Sequence, residues 1–333
     1  MFIIESYPLA VAMVIVTMLC WGSWANTQKL ATGDWPFPLL YWDYAFGVCL
    51  FSLLFGLTLG STGEAGRGFT DDLMQADGLL VRSAFIGGVI FNLANLLLVA
   101  AIDRAGMAVA FPVGIGLALV IGVIDNYLKR PVGDAGLLFT GVALVVVAIL
   151  LNSLAYRRVA AARSGGLALG LGLAIACGIT MGFFYGFVAK TLPEDFARPA
   201  PGTLTPYSAV FVFSLGVVVS NLLWNSWFMF RPLAGRPVGY GDYFRLGSTR
   251  LHLIGLAGGA IWCLGMSLNI LASGMAGPAI SYGLGQGATM VAAAWGVFVW
   301  KEFAGAPRGT GRLIGAMFAC FLTGLALIVI ARL

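Results

Sequence analysis

Charge is scarce in this chain. Of its 333 residues only 10% are Asp, Glu, Lys or Arg, while 60% are hydrophobic. Soluble domains carry roughly 25% charged residues, so an ordinary water-soluble fold is excluded. Histidine is scarcer still. His252 stands alone, at an expected helix start, which excludes a His-based metal cluster and a conventional Ser-His-Asp triad. No GxxxxGK[ST] stretch occurs, so there is no P-loop and no sign of ATP drive. The five cysteines (Cys20, Cys49, Cys177, Cys263, Cys320) sit in apolar runs without CxxC or metal spacing and read as reduced packing residues. Paired acids and nucleophile–base pairs are missing from those runs. The chain therefore reads as a non-enzyme with no cofactor and no metal. Its net charge of +5 is scattered over short loops, which suits lipid headgroups better than nucleic acid. The opening MFIIESYPLA lacks a basic n-region and a small-residue cleavage site, so the first span is expected to be retained.

What is abundant is apolar length, glycine and internal repetition. The 46 glycines fit close helix–helix approach in lipid. Residues Gly87–Val120 align without a gap on Gly258–Val291 at an offset of 171, matching at Gly87/Gly258, Gly88/Gly259, Gly106/Gly277, Gly114/Gly285 and Gly116/Gly287 among others. Repetition inside a membrane chain is a typical build of secondary transporters.

The hydropathy pattern predicts an all-α membrane protein with ten transmembrane helices, near 9–30, 38–60, 79–101, 105–128, 135–155, 166–190, 207–230, 251–272, 277–300 and 311–331. Two five-helix repeats, 1–155 and 166–333, flank a short basic linker at 156–165. Five is an odd number, so the second copy enters the membrane upside down and the repeat is inverted. Twelve of the 19 Lys and Arg fall on the side of the first loop, which places both termini outside a plasma or inner cell membrane.

Polar groups within spans are costly in lipid and mark the bundle interior. WGSWANTQK supplies Trp24 and Asn26, and YWDY supplies Tyr41 and Asp43. Asp43 is the deepest acid and lies near the same membrane face as Lys29. Two roles stand open for it: a structural pair with Lys29, or a proton- or substrate-binding carboxylate. Asn92 and Asn95 share one helix face, as do Tyr282 and Gln286. Their repeat counterparts, Cys263/Met266 and Phe111/Ile115, carry no amide, so the two copies differ in polar decoration. Such asymmetry suits an asymmetric solute, although interhelical hydrogen-bond glue accounts for the pairs too. Asn221, Trp224 and Asn225 are expected on one face of the seventh helix, with Trp262 on the eighth. Pro112 is expected to free the residue 108 carbonyl, whereas Pro278 sits harmlessly at a helix start.

WGSWANTQK, YWDY, NLANLLLVAAIDRAGMAVAFPVGIG and WGVFVWKEF together resemble the drug/metabolite transporter superfamily. Within it the chain is most similar to the ureide permeases and to related bacterial glucose/ribose and rhamnose porters. The resemblance implies a central cavity lined by Trp24, Asn26, Asp43, Asn92, Asn95, Tyr282 and Gln286. It also implies allantoin, uracil or related heterocycles as solutes, carried with protons. Plant members bear a long central loop with a nucleotide-binding-like motif. Here that loop is only Tyr156–Gly166, so no nucleotide role carries over.

A planar ureide offers an amide edge for Asn92, Asn95 and Gln286 and a flat face for Trp24, Tyr282 or Trp262. A sugar wants similar partners. The expectation is a proton-coupled importer of a small polar metabolite, ureide or nucleobase before sugar, with Asp43 as proton carrier. A drug or metabolite exporter is the remaining alternative.

Overall fold

The computed structural model describes residues 1–31, 35–159, 167–232 and 236–333. Arg163 and most of the basic linker lie outside the described residues. Among these residues all regular structure is helical: α1 (Tyr7–Ser23), α2 (Asn26–Leu30), α3 (Phe37–Leu57), α4 (Phe69–Gln75), α5 (Gly78–Ala105), α6 (Met107–Lys129), α7 (Ala135–Val159), α8 (Leu167–Ala189), α9 (Pro206–Asn221), α10 (Trp224–Phe230), α11 (Tyr240–Leu246), α12 (Thr249–Ala276), α13 (Pro278–Gly285), α14 (Ala288–Ala294), a π-helix (Trp295–Val299) and α15 (Thr310–Ile330).

Nine segments among the described residues are long and apolar enough to cross a membrane. The expected span at 277–300 is not among them, because its α-helical part runs only from Pro278 to Ala294. A turn at Gln286–Gly287 separates α13 from α14, and the π-helix follows. Two further segments are interrupted: α1 gives way to α2 at Trp24–Ala25, and α9 to α10 at Leu222–Leu223. The side-chain distribution is that of a protein in lipid. Leu50, Leu54 and Leu322 are about 60% exposed, while Asp43, Asn92, Asn95 and Asn221 are buried.

The chain folds as two units, each drawn from both halves of the sequence. One comprises Met1–Asn92 and Phe184–Met275, the other Leu93–Phe183 and Ala276–Leu333.

In the first unit glycine sets how closely helices approach. A Cβ on Gly47 of α3 would lie 2.2 Å from the Leu256 carbonyl oxygen of α12, and one on Gly259 would lie 2.0 Å from that of Tyr44. The same arrangement recurs between α9 and α5, where Gly216 faces the Phe85 oxygen at 2.1 Å and Gly88 faces that of Phe213 at 2.0 Å. Leu256 and Gly259 stand 171 residues after Phe85 and Gly88. The matched Gly88 and Gly259 are therefore helix-contact positions. Gly106 and Gly277, also 171 apart, precede α6 and α13 with φ of 78° and 82°. Only glycine adopts that backbone at little cost.

The polar loops of the first unit are knitted together. Arg67 pairs with Asp72 at 2.8 Å and donates to the Pro199 carbonyl at 3.0 Å. The second Asp72 oxygen accepts the Thr205 N–H at 2.7 Å, and the Asp72 side chain is 0% exposed. Breaking a buried pair costs about 3–5 kcal/mol, and the partly exposed Arg67 lowers that toward about 2–4. Arg67→Ala should therefore lower the melting temperature by several degrees in detergent. An unchanged melting curve counts against the clamp.

In the second unit α7 packs on α15 through a reciprocal glycine pair. A Cβ on Gly141 or on Gly324 would lie 2.6 or 2.7 Å from the other's carbonyl oxygen. Tyr156 of α7 donates to Glu302 of the WKEF stretch at 2.5 Å. Pro112 lies inside α6, and Pro278 opens α13.

Candidate functional site

Most of the polar and aromatic positions expected to meet solute fall in the first unit, and several sit where a helix breaks. Trp24 closes α1 and Asn26 opens α2, its amide donating to the Ser23 carbonyl at 3.1 Å. Asn221 ends α9, Trp224 opens α10, and Gln286 closes α13. Discontinuous helices free backbone groups and place them at membrane depth, a common setting for solute sites in transporters.

Asp43 sits in the second turn of α3, 2% exposed. The expected structural pair with Lys29 is not formed. Its carboxylate instead accepts a hydrogen bond from the Tyr243 hydroxyl of α11 and stands 3.0 Å from His252 Nδ1 at both oxygens. A carboxylate only accepts, so Nδ1 carries a proton in either charge state of the ring. Two glycines make room for the group. A Cβ on Gly255 would lie 2.4 Å from the Asp43 Cβ, and one on Gly247 would lie 2.2 Å from His252 Nε2. Trp35 meets the imidazole edge-on at 5.2 Å and Tyr243 lies 4.6 Å from it, centre to centre. His252 keeps 27% side-chain exposure, so the buried acid reaches solvent through its imidazole. Burial first, and then the Asp43 hydrogen bond and charge, push the Tyr243 hydroxyl above its ordinary value and keep it a donor.

Sequence reasoning missed His252 and Tyr243 as partners of Asp43. They lie 209 and 200 residues away, at the edge of the membrane segments. The usable signal was the lone histidine itself.

A second polar group joins α5 to α9. Asn92 Nδ2 lies 3.2 Å from the Val217 carbonyl, 2.9 Å from Ser220 Oγ and 3.3 Å from Asn221 Oδ1. Asn92 and Asn221 are 0% exposed, yet Asn92 Oδ1 and Asn221 Nδ2 have no hydrogen-bond partner. An unsatisfied buried polar atom costs about 1–3 kcal/mol, so two side by side are an expensive feature for packing alone.

The expected face of Asn221, Trp224 and Asn225 spans a helix break, with Asn221 and Asn225 buried and Trp224 half-buried. The Leu222–Leu223 turn divides them between α9 and α10, because the backbone there bonds three residues back instead of four. Asn225 ties α10 to the start of α3 through the Pro38 carbonyl at 2.8 Å.

An aromatic cluster lies in the same unit. The Trp262 ring centre is 4.3 Å from Phe91 and 5.9 Å from both Trp21 and Phe213. Trp24 lies 4.8 Å from Tyr44, on which Tyr41 stacks at 5.1 Å.

In the second unit Asn95 is buried in α5. Tyr282 is fully buried, and its hydroxyl meets the Ala118 and Met181 carbonyls at 3.3 and 3.2 Å. Gly122 admits its ring, since a Cβ there would lie 2.2 Å from it. Tyr282 thus joins α13 to α6 and α8. Among the described residues no group of three or more His, Cys, Asp or Glu could hold a metal.

Comparison with known proteins places this architecture. The ureide permease family model matches residues 40–168 and 156–331. Ureide permease 1 of Arabidopsis thaliana is 24% identical over 98% of both chains, and Ureide permease 4 of the same plant is 21% identical over 98% of both. Ureide permease 3 is 28% identical over 48% of this chain and 47% of its own length. One solved crystal structure shares the fold with a TM-score of 0.61 at 17% identity, covering 98% of this chain and 99% of that one. Two family segments spanning nearly the whole chain, carried on a bundle of apolar helices, support one conclusion: the chain belongs to the ureide permease family and is a multi-pass membrane transporter, not an enzyme.

Proposed function

We propose that this protein is a proton-coupled importer of a ureide or nucleobase in a plasma or inner cell membrane, with Asp43 as the proton carrier. The observation that carries the coupling is the Asp43–His252–Tyr243 group. A buried carboxylate held by an imidazole has a partner that can exchange protons with it, whereas a lysine or arginine would fix its charge. The half-open imidazole gives protons a route in.

The solute class rests on the family and on the chemistry of the buried amides and aromatic rings, with Trp24, Tyr41, Trp262 and the Asn92–Asn221 pair as the core of the site. Asn26, Asn95, Trp224, Asn225, Tyr282 and Gln286 complete the set read from the sequence. We read the frame as two inverted five-helix repeats, as in the wider drug/metabolite transporter superfamily. The interrupted 277–300 segment is the tenth span, and both termini lie outside. The recurring glycine contacts support that reading, and alternating access then follows from rocking one repeat against the other.

The test is flux in proteoliposomes with an alkaline interior, offered labelled uracil, allantoin and glucose. Accumulation of uracil or allantoin above equilibrium, abolished by a protonophore, is the expected result. Accumulation of glucose alone would overturn the solute class, outward pumping would overturn the direction, and indifference to the protonophore would overturn the coupling.

A further inference from the structure

We propose that Asn92 and Asn221 act as one reading head for a cis –CO–NH– edge: Asn221 Nδ2 donates to the solute carbonyl while Asn92 Oδ1 accepts from the adjoining solute N–H. This rests on the ureide or nucleobase reading above and specifies which atoms would carry it.

Hydrogen-bond chemistry fixes both amides. The Val217 carbonyl only accepts, so the Asn92 atom 3.2 Å from it is the nitrogen. Ser220 spends its hydroxyl hydrogen on the same carbonyl at 3.2 Å and therefore accepts from Asn92 Nδ2 at 2.9 Å. Asn221 meets that nitrogen with its oxygen at 3.3 Å, sharing one of the two Nδ2 hydrogens in a bifurcated bond, since the flipped amide would set two NH2 groups against each other. Each amide is thereby locked with its other end free. One free end is an acceptor and the other a donor, both buried and both without a partner.

Two amides used only as interhelical glue would close on each other reciprocally and spend all four groups. These are offset, and what they leave over is the complement of a cis-amide, the unit repeated around uracil and the hydantoin ring of allantoin. A sugar hydroxyl, donor and acceptor in one atom, has no need of adjacent groups of opposite kind. Asn221 is also the last residue of α9, next to the Leu222–Leu223 break. The pair is therefore placed where a shift of the broken helix opens it to solute.

The experiment measures displacement of labelled uracil from purified full-length protein by uracil, 1-methyluracil, 3-methyluracil and 1,3-dimethyluracil. The unmodified protein should bind 1,3-dimethyluracil at least tenfold more weakly than uracil, since no N–H is left for Asn92 Oδ1. At least one monomethyl isomer should bind as well as uracil. Asn221→Asp keeps an oxygen that accepts from Asn92 and, when ionised, replaces the donor by a charged acceptor. It should weaken uracil binding at least tenfold, measured on the fraction that purifies folded, because a buried carboxylate also lowers the melting temperature.

Equal binding of uracil and 1,3-dimethyluracil by the unmodified protein overturns the proposal even if the variant cannot be purified. So does a folded Asn221→Asp protein whose uracil affinity falls by less than threefold. Either result leaves the ureide reading standing. Failure of the unmodified protein to bind uracil or allantoin at all overturns both.

Discussion

Asp43→Asn should reduce uptake against a gradient to simple equilibration while leaving solute exchange across the membrane intact. One proton moving inward through 100 mV releases about 2.3 kcal/mol, enough for roughly fifty-fold accumulation of a neutral solute. Removing the carrier removes all of that, so the accumulation ratio should fall to about one. The variant is expected to fold, because the Asn carbonyl oxygen still accepts from Tyr243 and His252, and Gly255 leaves room for a side chain of the same shape. Counterflow of labelled uracil, which needs no proton movement, should continue at a comparable rate. Persisting accumulation in Asp43→Asn vesicles would remove Asp43 from the coupling path. His252→Leu should slow net uptake without abolishing exchange, since it takes away the half-exposed group between solvent and the acid.

The largest structural effect is expected at the close-contact glycines. Gly88→Val or Gly259→Val should abolish recovery of folded protein. At each position the new Cβ would sit 2.0 Å from a backbone oxygen, on Phe213 or Tyr44 respectively, and a backbone cannot turn aside as a side chain can. Overpacking a core typically costs 1–3 kcal/mol when side chains absorb it. Forcing α5 from α9 or α12 from α3 by an ångström or more exceeds that range. Gly172→Ala and Gly315→Ala provide the controls. Nothing lies within 4 Å of a Cβ at either site, both residues are exposed, and alanine favours a helix over glycine by up to about 1 kcal/mol. Detergent-solubilised fluorescence size exclusion separates these outcomes. A monodisperse peak of normal height for Gly88→Val would refute the close-contact account.

Much of the molecule was legible in composition and spacing. Long apolar runs with little charge determine a helical membrane protein, because lipid leaves backbone groups no partner except their own helix. The repeat at an offset of 171 marked Gly88 and Gly259, which turn out to be helix contacts. Gly106 and Gly277, matched in sequence, also share a backbone conformation that other residues resist.

The helix breaks at Trp24–Ala25, Leu222–Leu223 and Gln286–Gly287 were not legible. No proline marks any of them, and Leu222–Leu223 is itself apolar, so nothing in the sequence pattern sets the point where backbone hydrogen bonds shift to three residues back. Trp24, Asn26, Asn221, Trp224, Asn225 and Gln286, chosen for their cost in lipid or their aromatic faces, nevertheless lie at or beside those breaks.

Which groups meet was decided by tertiary structure alone. Lys29 was a candidate for Asp43 because both lie near one end of adjacent helices. Close packing through Gly47, Gly255 and Gly259 brought α12 against α3, and with it His252. A hydrogen bond depends on distance in space, and separations of 200 and 209 residues leave no trace in local pattern. The same holds for the two asparagines. Sequence identified them as polar groups that lipid would reject, and only the packing of α5 on α9 determined which atom of each was left free.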